Sequence, residues 1–591
     1  MASYFNTLPL ITALIAVLAA SQPHEHPFTE FAKLAPTMVE RMNPSAIMSV
    51  NVSSFMNNGD YVNVSWSGIS NPSAYDVIAL YSPAKADVTK KIPVQIMNAS
   101  STTPSYGQSG AGWTIFKLIN TRQDYVFKLI QNGTFNPTAA SAMVVAQSPV
   151  ILNNIPSQPF GGHLTVHKNA KKIVLQWTSG SSATQYVEYG AASGPFTGLV
   201  SSTSELTYTE KDMHTVTIPL TGLSPNTPVS YRFGSKTVGW SGPYSFLIPP
   251  RVGAQSDPSL KFLIFVDVGQ SNAVAYYDYP GSGYTPGLDL SYMPPSEINS
   301  VKLPSYLAKE TAHLALLPGD LSYAMGYVSD WDYFTHQFEP AFTQFPTAFG
   351  LGNHERDWPY TGDAFNNTSH DSGGECGIAI LKRFYTPGSR RALKNMNGKA
   401  PGALYYSFER GPVHFIMLDT ELPSSVGTDQ NKFVQKDLAN VDRSLTPWIV
   451  VTLHRMMVAP ATYSKPFVGD LQVEARLQED YQELFMKYKV NMVIAGHEHA
   501  YARTCMFYNY TCVNATNPAP NGSTTAPVYM LAGNAGASFT HGFPVPLPNW
   551  VENGFQFKNG YLRFEANYTH LVMQSVSDDT GLVNDNVILQ Q

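Results

Sequence analysis

Five short polar motifs follow apolar runs in the second half of this 591-residue chain, and their residue types are those that bind metal ions. In order they are Asp267-Val268-Gly269, Gly319-Asp320-Leu321-Ser322-Tyr323, Gly352-Asn353-His354-Glu355, Val451-Thr452-Leu453-His454 and Gly496-His497-Glu498-His499. Asp267, Asp320, Tyr323, Asn353, His454, His497 and His499 offer carboxylate, phenolate, amide and imidazole donors, a ligand set for two adjacent ions. Taken singly, none is compelling. Asp-x-Gly at a strand end is commonly a turn, and Gly-His-x-His is also what a pair of surface histidines looks like. Their number and order point to a two-metal hydrolase.

The stretches before the motifs (FLIFV, LALLP, TAFGL, WIVV and VNMVIA) read as buried strands, which puts each polar group at the carboxyl tip of a strand. Open α/β sheets gather their ligands at that edge. From about Ala254 onward such strands alternate with segments of helical periodicity, SEINSVKLPSYLAKET, QNKFVQKDLANVDRSL and EARLQEDYQELFMKYK. In the last, Leu477, Tyr481, Leu484, Phe485 and Tyr488 make one apolar stripe, best explained by a helix packed on a sheet. The alternation predicts a layered α/β domain. The tail GYLRFEANYTHLVMQSVSDDTGLV returns to β character and is expected to close the domain with a hairpin.

Before that domain the pattern is all β. YVNVSWSG, DVIALYSP and DYVFKLIQNG are short strands parted by Pro, Gly and Asn clusters, the mark of a β-sandwich over residues 22–155. LTVHK, IVLQWTSG, QYVEYG, TVTIPL and VSYRFGS form a second module over residues 156–250, whose spacing and Leu-Thr-Gly-Leu-Ser-Pro phrase resemble fibronectin type III. The α/β domain then takes residues 254–591, with a C-terminal β extension.

The opening residues carry an apolar stretch from Leu8 to Ala20 followed by Ser21, the pattern of a cleaved secretory signal over residues 1–21. That stretch is too short to span a bilayer comfortably, so no anchor is expected in the mature form. Secretion agrees with the N-x-[ST] triplets at Asn51, Asn63, Asn98, Asn132, Asn366, Asn367, Asn509, Asn514, Asn521 and Asn567. Of 3 cysteines, Cys505 and Cys512 bracket a short loop and are expected to pair in an oxidising compartment. Cys376 is left over, either a buried thiol or half of an intermolecular bridge. Net charge is −6 with no run of like charges, which argues against a nucleic acid polymer as partner. A homo-oligomer is compatible with the sequence.

The series D-x-G, G-D-x-x-Y, G-N-H-E, V-x-x-H and G-H-x-H resembles that of the purple acid phosphatases, within the calcineurin-like metallophosphoesterases. Most metallophosphoesterases begin with D-x-H and lack the second-motif tyrosine; here Gly269 and Tyr323 stand in those places. The β modules and Ser372-Gly373-Gly374-Glu375-Cys376-Gly377 resemble the large plant-type members described as nucleotide pyrophosphatases or phosphodiesterases. The resemblance implies that Asp267, Tyr323 and His499 hold one metal, that Asn353, His454 and His497 hold a second, and that Asp320 bridges them. A phenolate and two carboxylates favour Fe(III), while Asn and His suit a divalent ion: zinc, manganese or iron. It further implies attack on phosphorus by a hydroxide formed on the metals, without a phosphoenzyme. His354 is then the catalytic donor to the developing charge, with orientation of a ligand as its simpler role, and Glu355 a support for the loop.

Smaller plant-type members carry a histidine pair beyond V-x-x-H; residues 455–465 contain none, as in the large members. The general acid is thus unassigned, with Tyr463 and Lys465 as candidates or simply as solvent-facing loop residues. The aromatic stretch from Tyr276 to Tyr284 either stacks a nucleotide base or packs on itself. The resulting expectation is a secreted dinuclear-metal acid phosphatase acting on small phosphorylated substrates, chiefly monoesters. The alternative within the family is a nucleotide pyrophosphatase/phosphodiesterase, and the distant one is a non-catalytic secreted binding protein. The destination is the exterior or, alternatively, a vacuole or lysosome-like compartment.

Overall fold

The computed structural model describes residues 35–133, 142–205, 213–269, 302–324, 328–356, 372, 375–394, 402–460, 470–537, 539–540 and 542–591. In the first β module a five-stranded sheet faces a three-stranded one made of Ile47–Val50, Tyr61–Ser67 and Gly112–Lys117. Along Tyr61–Ser67 the side chains of Val62, Val64 and Trp66 alternate inward, the period a half-buried strand requires. They meet Ile78, Leu80 and Phe127 of the facing sheet in one core. The second module is likewise a sandwich, with Trp177, Val187, Tyr231 and Phe233 between its sheets.

One sheet of this second module does not end at the module. Its strand Phe160–Val166 pairs in parallel with Thr347–Phe349 at Thr165 and Thr347, so module and α/β domain share a ten-stranded sheet. In chain order the domain's main strands are β1 (Leu260–Ile264), β2 (Leu314–Leu317), β3 (Thr347–Phe349), β4 (Tyr406–Arg410), β5 (Val413–Met417), β6 (Trp448–Arg455), β7 (Met492–Gly496), β8 (Tyr501–Tyr508), β9 (Val528–Ala532), β10 (Gly560–Ala566), β11 (His570–Ser577) and β12 (Val583–Gln590), with two further strands, Thr511–Cys512 and Val551–Phe555, paired to β8. The shared sheet continues in the order β3-β2-β1-β10-β11-β12, and the other runs β4-β5-β6-β7-β9-β8. β1, β2 and β3 are mutually parallel, as are β5, β6, β7 and β9. Their carboxyl ends therefore lie along one edge in each sheet.

Strands in the middle of this stack are buried on both faces. Val450 of β6 points to the inter-sheet core, whereas Ile449, Val451 and Leu453 point to the helical layer. That layer holds α3 (Asp429–Ala439) and α4 (Asp470–Lys487). Thr428 caps α3 by accepting from the backbone N–H of Asn431. Leu477, Tyr481 and Phe485 of α4 bury the stripe expected from the sequence. On the other side α1 (Val328–Phe342) lays Trp331, Phe334, Phe338 and Phe342 into the main core, and α2 (Ile378–Arg383) follows the third motif.

α1 also fixes the first β module to the domain. Asp332 is buried between Arg122 of that module and Arg383 of α2, each with an N–O distance of 2.9 Å. Burial alone would raise the Asp332 carboxyl, but the two guanidiniums hold it below the usual carboxylate range.

The structure departs from the sequence reading at two places. α1 was not expected, because it contains Pro340 and many aromatic residues of modest helix propensity. The segment expected as a helix over SEINSVKLPSYLAKET yields only Leu303–Leu307, opened by Pro304, with residues 296–301 outside the described residues. The tail closes the domain as expected: β10 and β11 form an antiparallel hairpin with β10 seated beside β1, and β12 extends the same sheet. Among the described residues no helix is long and apolar enough to cross a membrane, and the expected signal segment lies outside them.

His414 of β5 ties α3 to this sheet, with Nε2 2.8 Å from Asp437 and Nδ1 3.3 Å from Glu409. Burial would lower its pKa, but the two carboxylates raise it to about 8. Its folded value exceeds its unfolded one, so the stability it contributes is complete below about pH 6.5 and is lost as pH rises through about 8. His414→Gln should cost ~2 kcal/mol near pH 6 and much less near pH 9. Denaturant unfolding at the two pH values checks this; an equal cost at both would contradict it.

Candidate metal centre

The seven donors predicted from the motifs come together where the two parallel strand edges meet. Asp267 follows β1, Asp320 and Tyr323 follow β2, Asn353 follows β3, His454 lies at the end of β6, and His497 and His499 follow β7. Ligand atoms of Asp320, His454 and His497 all lie within 4.8 Å of one another, and so do those of Asp267, Asp320 and His499. Asp320 belongs to both groups. His454 Nε2 is 3.3 Å from Asp320 Oδ1. Asn353 Oδ1 sits 2.9 Å from His454 Nε2 and 2.8 Å from His497 Nδ1, and the Tyr323 hydroxyl is 3.0 Å from His499 Nε2. Amide and tyrosine thus fall on opposite sides of Asp320.

Local backbone geometry explains why these residues sit at turns. Asp267, Asp320, Tyr323 and His497 all have positive φ, at 60°, 49°, 53° and 73°. Left-handed backbone costs a non-glycine residue of order 1 kcal/mol. Such clustering is the mark of a site whose side-chain directions matter more than local comfort. Glycines then let the backbone close around the carboxylates. A Cβ on Gly352 would lie 2.1 Å from Asp320 Oδ1, one on Gly496 2.3 Å and one on Gly533 2.4 Å from Asp267 Oδ2.

Glu355 holds the third motif against the second. Its buried carboxylate accepts from the backbone N–H groups of Asp320 and Leu321, both at 2.8 Å, and of Gly352 at 3.0 Å. His354 donates its backbone N–H to Asp320 Oδ1 at 3.0 Å, and its half-buried ring lies 4.1 Å from that of Tyr323.

The electrostatics call for cations. Burial and the neighbouring Asp320 raise the Asp267 carboxyl well above its ordinary range. Burial would raise Asp320 too, but the imidazoles of His454, His354 and His497 pull it far down. Burial and the two aspartates push the Tyr323 phenol well up, and burial lowers His454 to about 4. Neutral imidazole is the metal-binding form. Asp267 Oδ1 is buried and accepts no hydrogen bond. An orphaned carboxylate oxygen, glycine cradles and a mixed O/N donor set fit a pair of metal ions.

Several contributors escaped the motif reading. Gly533 follows β9, and the backbone N–H groups of Ala535 and Ala537 bond to Val266 and Asp267 carbonyls. Thr540 Oγ1 accepts from the backbone N–H of His499 at 2.9 Å. The apolar run VYMLA before Gly533 was the available signal. Tyr463, Lys465 and the Tyr276–Tyr284 stretch lie outside the described residues. So do Asn366 and Asn367; Asn132 is half-buried, and Asn51, Asn63, Asn98, Asn509, Asn514, Asn521 and Asn567 are exposed. Cys505 and Cys512 are bonded, with Cα atoms 5.6 Å apart, and Cys376 is half-buried and outside any disulfide.

Known proteins resemble the chain over nearly its whole length. Residues 46–152 match the family model for the Fn3-like domain from purple acid phosphatase, and 159–247 that for the purple acid phosphatase N-terminal domain. Residues 299–501 match calcineurin-like phosphoesterase, and 526–586 the iron/zinc purple acid phosphatase-like protein C. The Arabidopsis thaliana protein named probable inactive purple acid phosphatase 24 is 30% identical, over 88% of this chain and 85% of that one. A nucleotide pyrophosphatase/phosphodiesterase of Hordeum vulgare is 29% identical, over 60% of this chain and 89% of its own. The solved purple acid phosphatase from yellow lupin (Lupinus luteus) seeds superposes with a TM-score of 0.75 at 25% identity, covering 93% of this chain and 96% of that one.

If the glycine cradle matters, Gly352→Ala should reduce retained metal and activity by roughly tenfold or more, whereas Gly107→Ala, with open space around it, should change neither. Elemental analysis after dialysis reads the difference. Full metal retention in Gly352→Ala would contradict the close approach to Asp320.

Proposed function

The chain belongs to the purple acid phosphatase family of metallophosphoesterases, and on that premise we propose that it is a secreted acid phosphatase hydrolysing phosphate monoesters. The observation that carries the reading is the membership of Asp320 in both donor groups. Tyr323 and Asp267 with His499 would hold Fe(III), and Asn353 with His454 and His497 would hold a divalent ion. Bound there, the pair would supply Lewis-acid charge at phosphorus and an acidified water for in-line attack.

The chain's own residues set up the rest. Asp320, fixed through the Glu355-bonded loop, spaces the two groups. His354, lying against Tyr323, would donate to the charge developing on the phosphoryl oxygens. No side chain is needed as a nucleophile, so a chiral-phosphorus substrate should be inverted, and retention would exclude this course.

The name of the Arabidopsis relative calls that protein probably inactive; what supports activity here is the convergence of five donors in two groups, with Asn353 and Tyr323 beside their histidines. A second reading, nucleotide pyrophosphatase/phosphodiesterase, is favoured by the absence of histidine from residues 455–465 and by the name of the barley relative. Leaving groups of low basicity need less protonation. Secretion is supported by the apolar Leu8–Ala20 stretch, the exposed asparagine triplets and the Cys505–Cys512 bond.

Turnover of nitrophenyl phosphate, bis-nitrophenyl phosphate and ATP across pH separates the two activities. Asp320→Asn should lower kcat by roughly a thousandfold and His354→Ala by ten- to a hundredfold. Wild-type protein inert toward all three substrates, with or without added iron and zinc, would refute both activities.

A further inference from the structure

We propose that Thr540 is a positioning residue for the half of the centre that would hold iron: with Ala537 it makes the segment after β9 a splint that sets Asp267 and His499 at a fixed separation. The inference rests on the metal-centre reading above. Asp267 and His499 share one donor group with Asp320, yet they follow β1 and β7, which lie in different sheets. Strand pairing alone does not join them. β9 pairs with β7 in parallel and ends at the same edge, and the chain beyond it returns to both ligands, at residues 533–537 and again at Thr540.

At the Asp267 end the segment meets both backbone and carboxylate. The Ala535 N–H donates to the Val266 carbonyl at 3.2 Å, and the Ala537 N–H donates to the Asp267 carbonyl at 2.9 Å. Gly533 lies against the carboxylate itself, where a Cβ would stand 2.4 Å from Oδ2. At the other end Thr540 takes hold of His499 at both of its backbone polar groups. Its N–H donates to the His499 carbonyl at 3.1 Å, and its Oγ1 accepts from the His499 N–H at 2.9 Å. The splint is itself anchored. Gln556 Nε2 donates to the Thr540 carbonyl at 2.6 Å, and the rings of Phe539 and Phe557 meet edge to face with centroids 5.7 Å apart. Gln556 follows the strand Val551–Phe555, which pairs with β8.

A ligand side chain can be placed only when its Cα–Cβ bond is aimed. With the N–H and carbonyl of His499 both held, the peptide planes on either side of its Cα are fixed, and the imidazole keeps only its own torsions. The clamp touches neither ring nitrogen, so Nε2, which faces the Tyr323 hydroxyl at 3.0 Å, is left to the metal. Only the bond to Oγ1 depends on the side chain at 540; valine has the same shape and no acceptor. The cost of losing that bond falls on the metal-loaded state. Without iron, the His499 backbone can shift until water satisfies its N–H. With iron, His499 and Asp267 must stay at ligand separation, and the N–H goes unpaired. The bonds of the splint go to Asp267 and His499, both in the iron group, so the second ion should feel little of this.

The test is iron retention set against stability. Wild-type protein, Thr540→Val and Thr540→Ser are loaded with iron and zinc, dialysed against graded EDTA and assayed for each element. The metal-free forms are unfolded in denaturant alongside. Thr540→Val should release iron at roughly tenfold lower EDTA than wild type while keeping its zinc, and its metal-free form should unfold close to the wild-type midpoint. Thr540→Ser, which restores the acceptor, should hold iron nearly as wild type does. Should Thr540→Val fail to fold, Gln556→Ala, which frees the Thr540 carbonyl from outside the centre, must release iron earlier than wild type with zinc unchanged. Iron retention in Thr540→Val equal to wild type overturns the splint. So does equal weakening of both ions, or a Thr540→Ser protein that loses iron as readily as Thr540→Val. Wild-type protein that holds neither metal would instead sink the function proposed above, and this inference with it.

Discussion

Two buried aspartates set the terms for this protein. Asp267 and Asp320 lie in a pocket with exposures of 0% and 1%, and one Asp267 oxygen accepts no hydrogen bond. Carboxylates so placed cost several kcal/mol unless something positive meets them. Imidazoles partly serve Asp320, and Glu355 adds a third buried carboxylate that spends its acceptors on backbone N–H groups. The pocket is electrostatically incomplete as a protein core and complete as a metal site. Left-handed turns at Asp267, Asp320, Tyr323 and His497 fit the same account, since four of the seven donors carry this strained backbone.

The architecture exists to hold that pocket still. Two sheets bring their parallel strand ends to a common edge, with one sheet running unbroken into the second β module through Thr165 and Thr347. The first β module reaches the same body through Arg122 and Asp332. From α1, Trp331 donates to Glu375, and the Gly377 backbone N–H bonds the Glu355 carbonyl. Contacts therefore run from the outer modules to the loop that carries Asn353. The modules that look like appendages in the sequence are part of the scaffold.

The site was more legible in the sequence than the fold around it. Its donors sit at the ends of apolar runs, and the order of five motifs is information that survives without coordinates. The strands of both β modules were readable for a similar reason: Val62, Val64 and Trp66 alternate as their burial does. What stayed hidden was pairing across distance. Nothing in the composition of residues 560–566 says that they lie beside β1, and nothing local links Thr540 to His499, which are 41 positions apart. α1 was missed because Pro340 and its aromatic content weaken the helical signal, although Trp331, Phe334, Phe338 and Phe342 keep the spacing of a buried stripe.

Anomalous diffraction from crystals of the metal-loaded protein, recorded at the iron edge and at that of the second metal, addresses the central claim most directly. Two peaks are expected with the Asp320 carboxylate between them, the Tyr323 oxygen beside the iron and the Asn353 amide oxygen beside the other ion. Catalytically active crystals with no anomalous peak at this edge, or with a single ion that Asp320 does not touch, would contradict it.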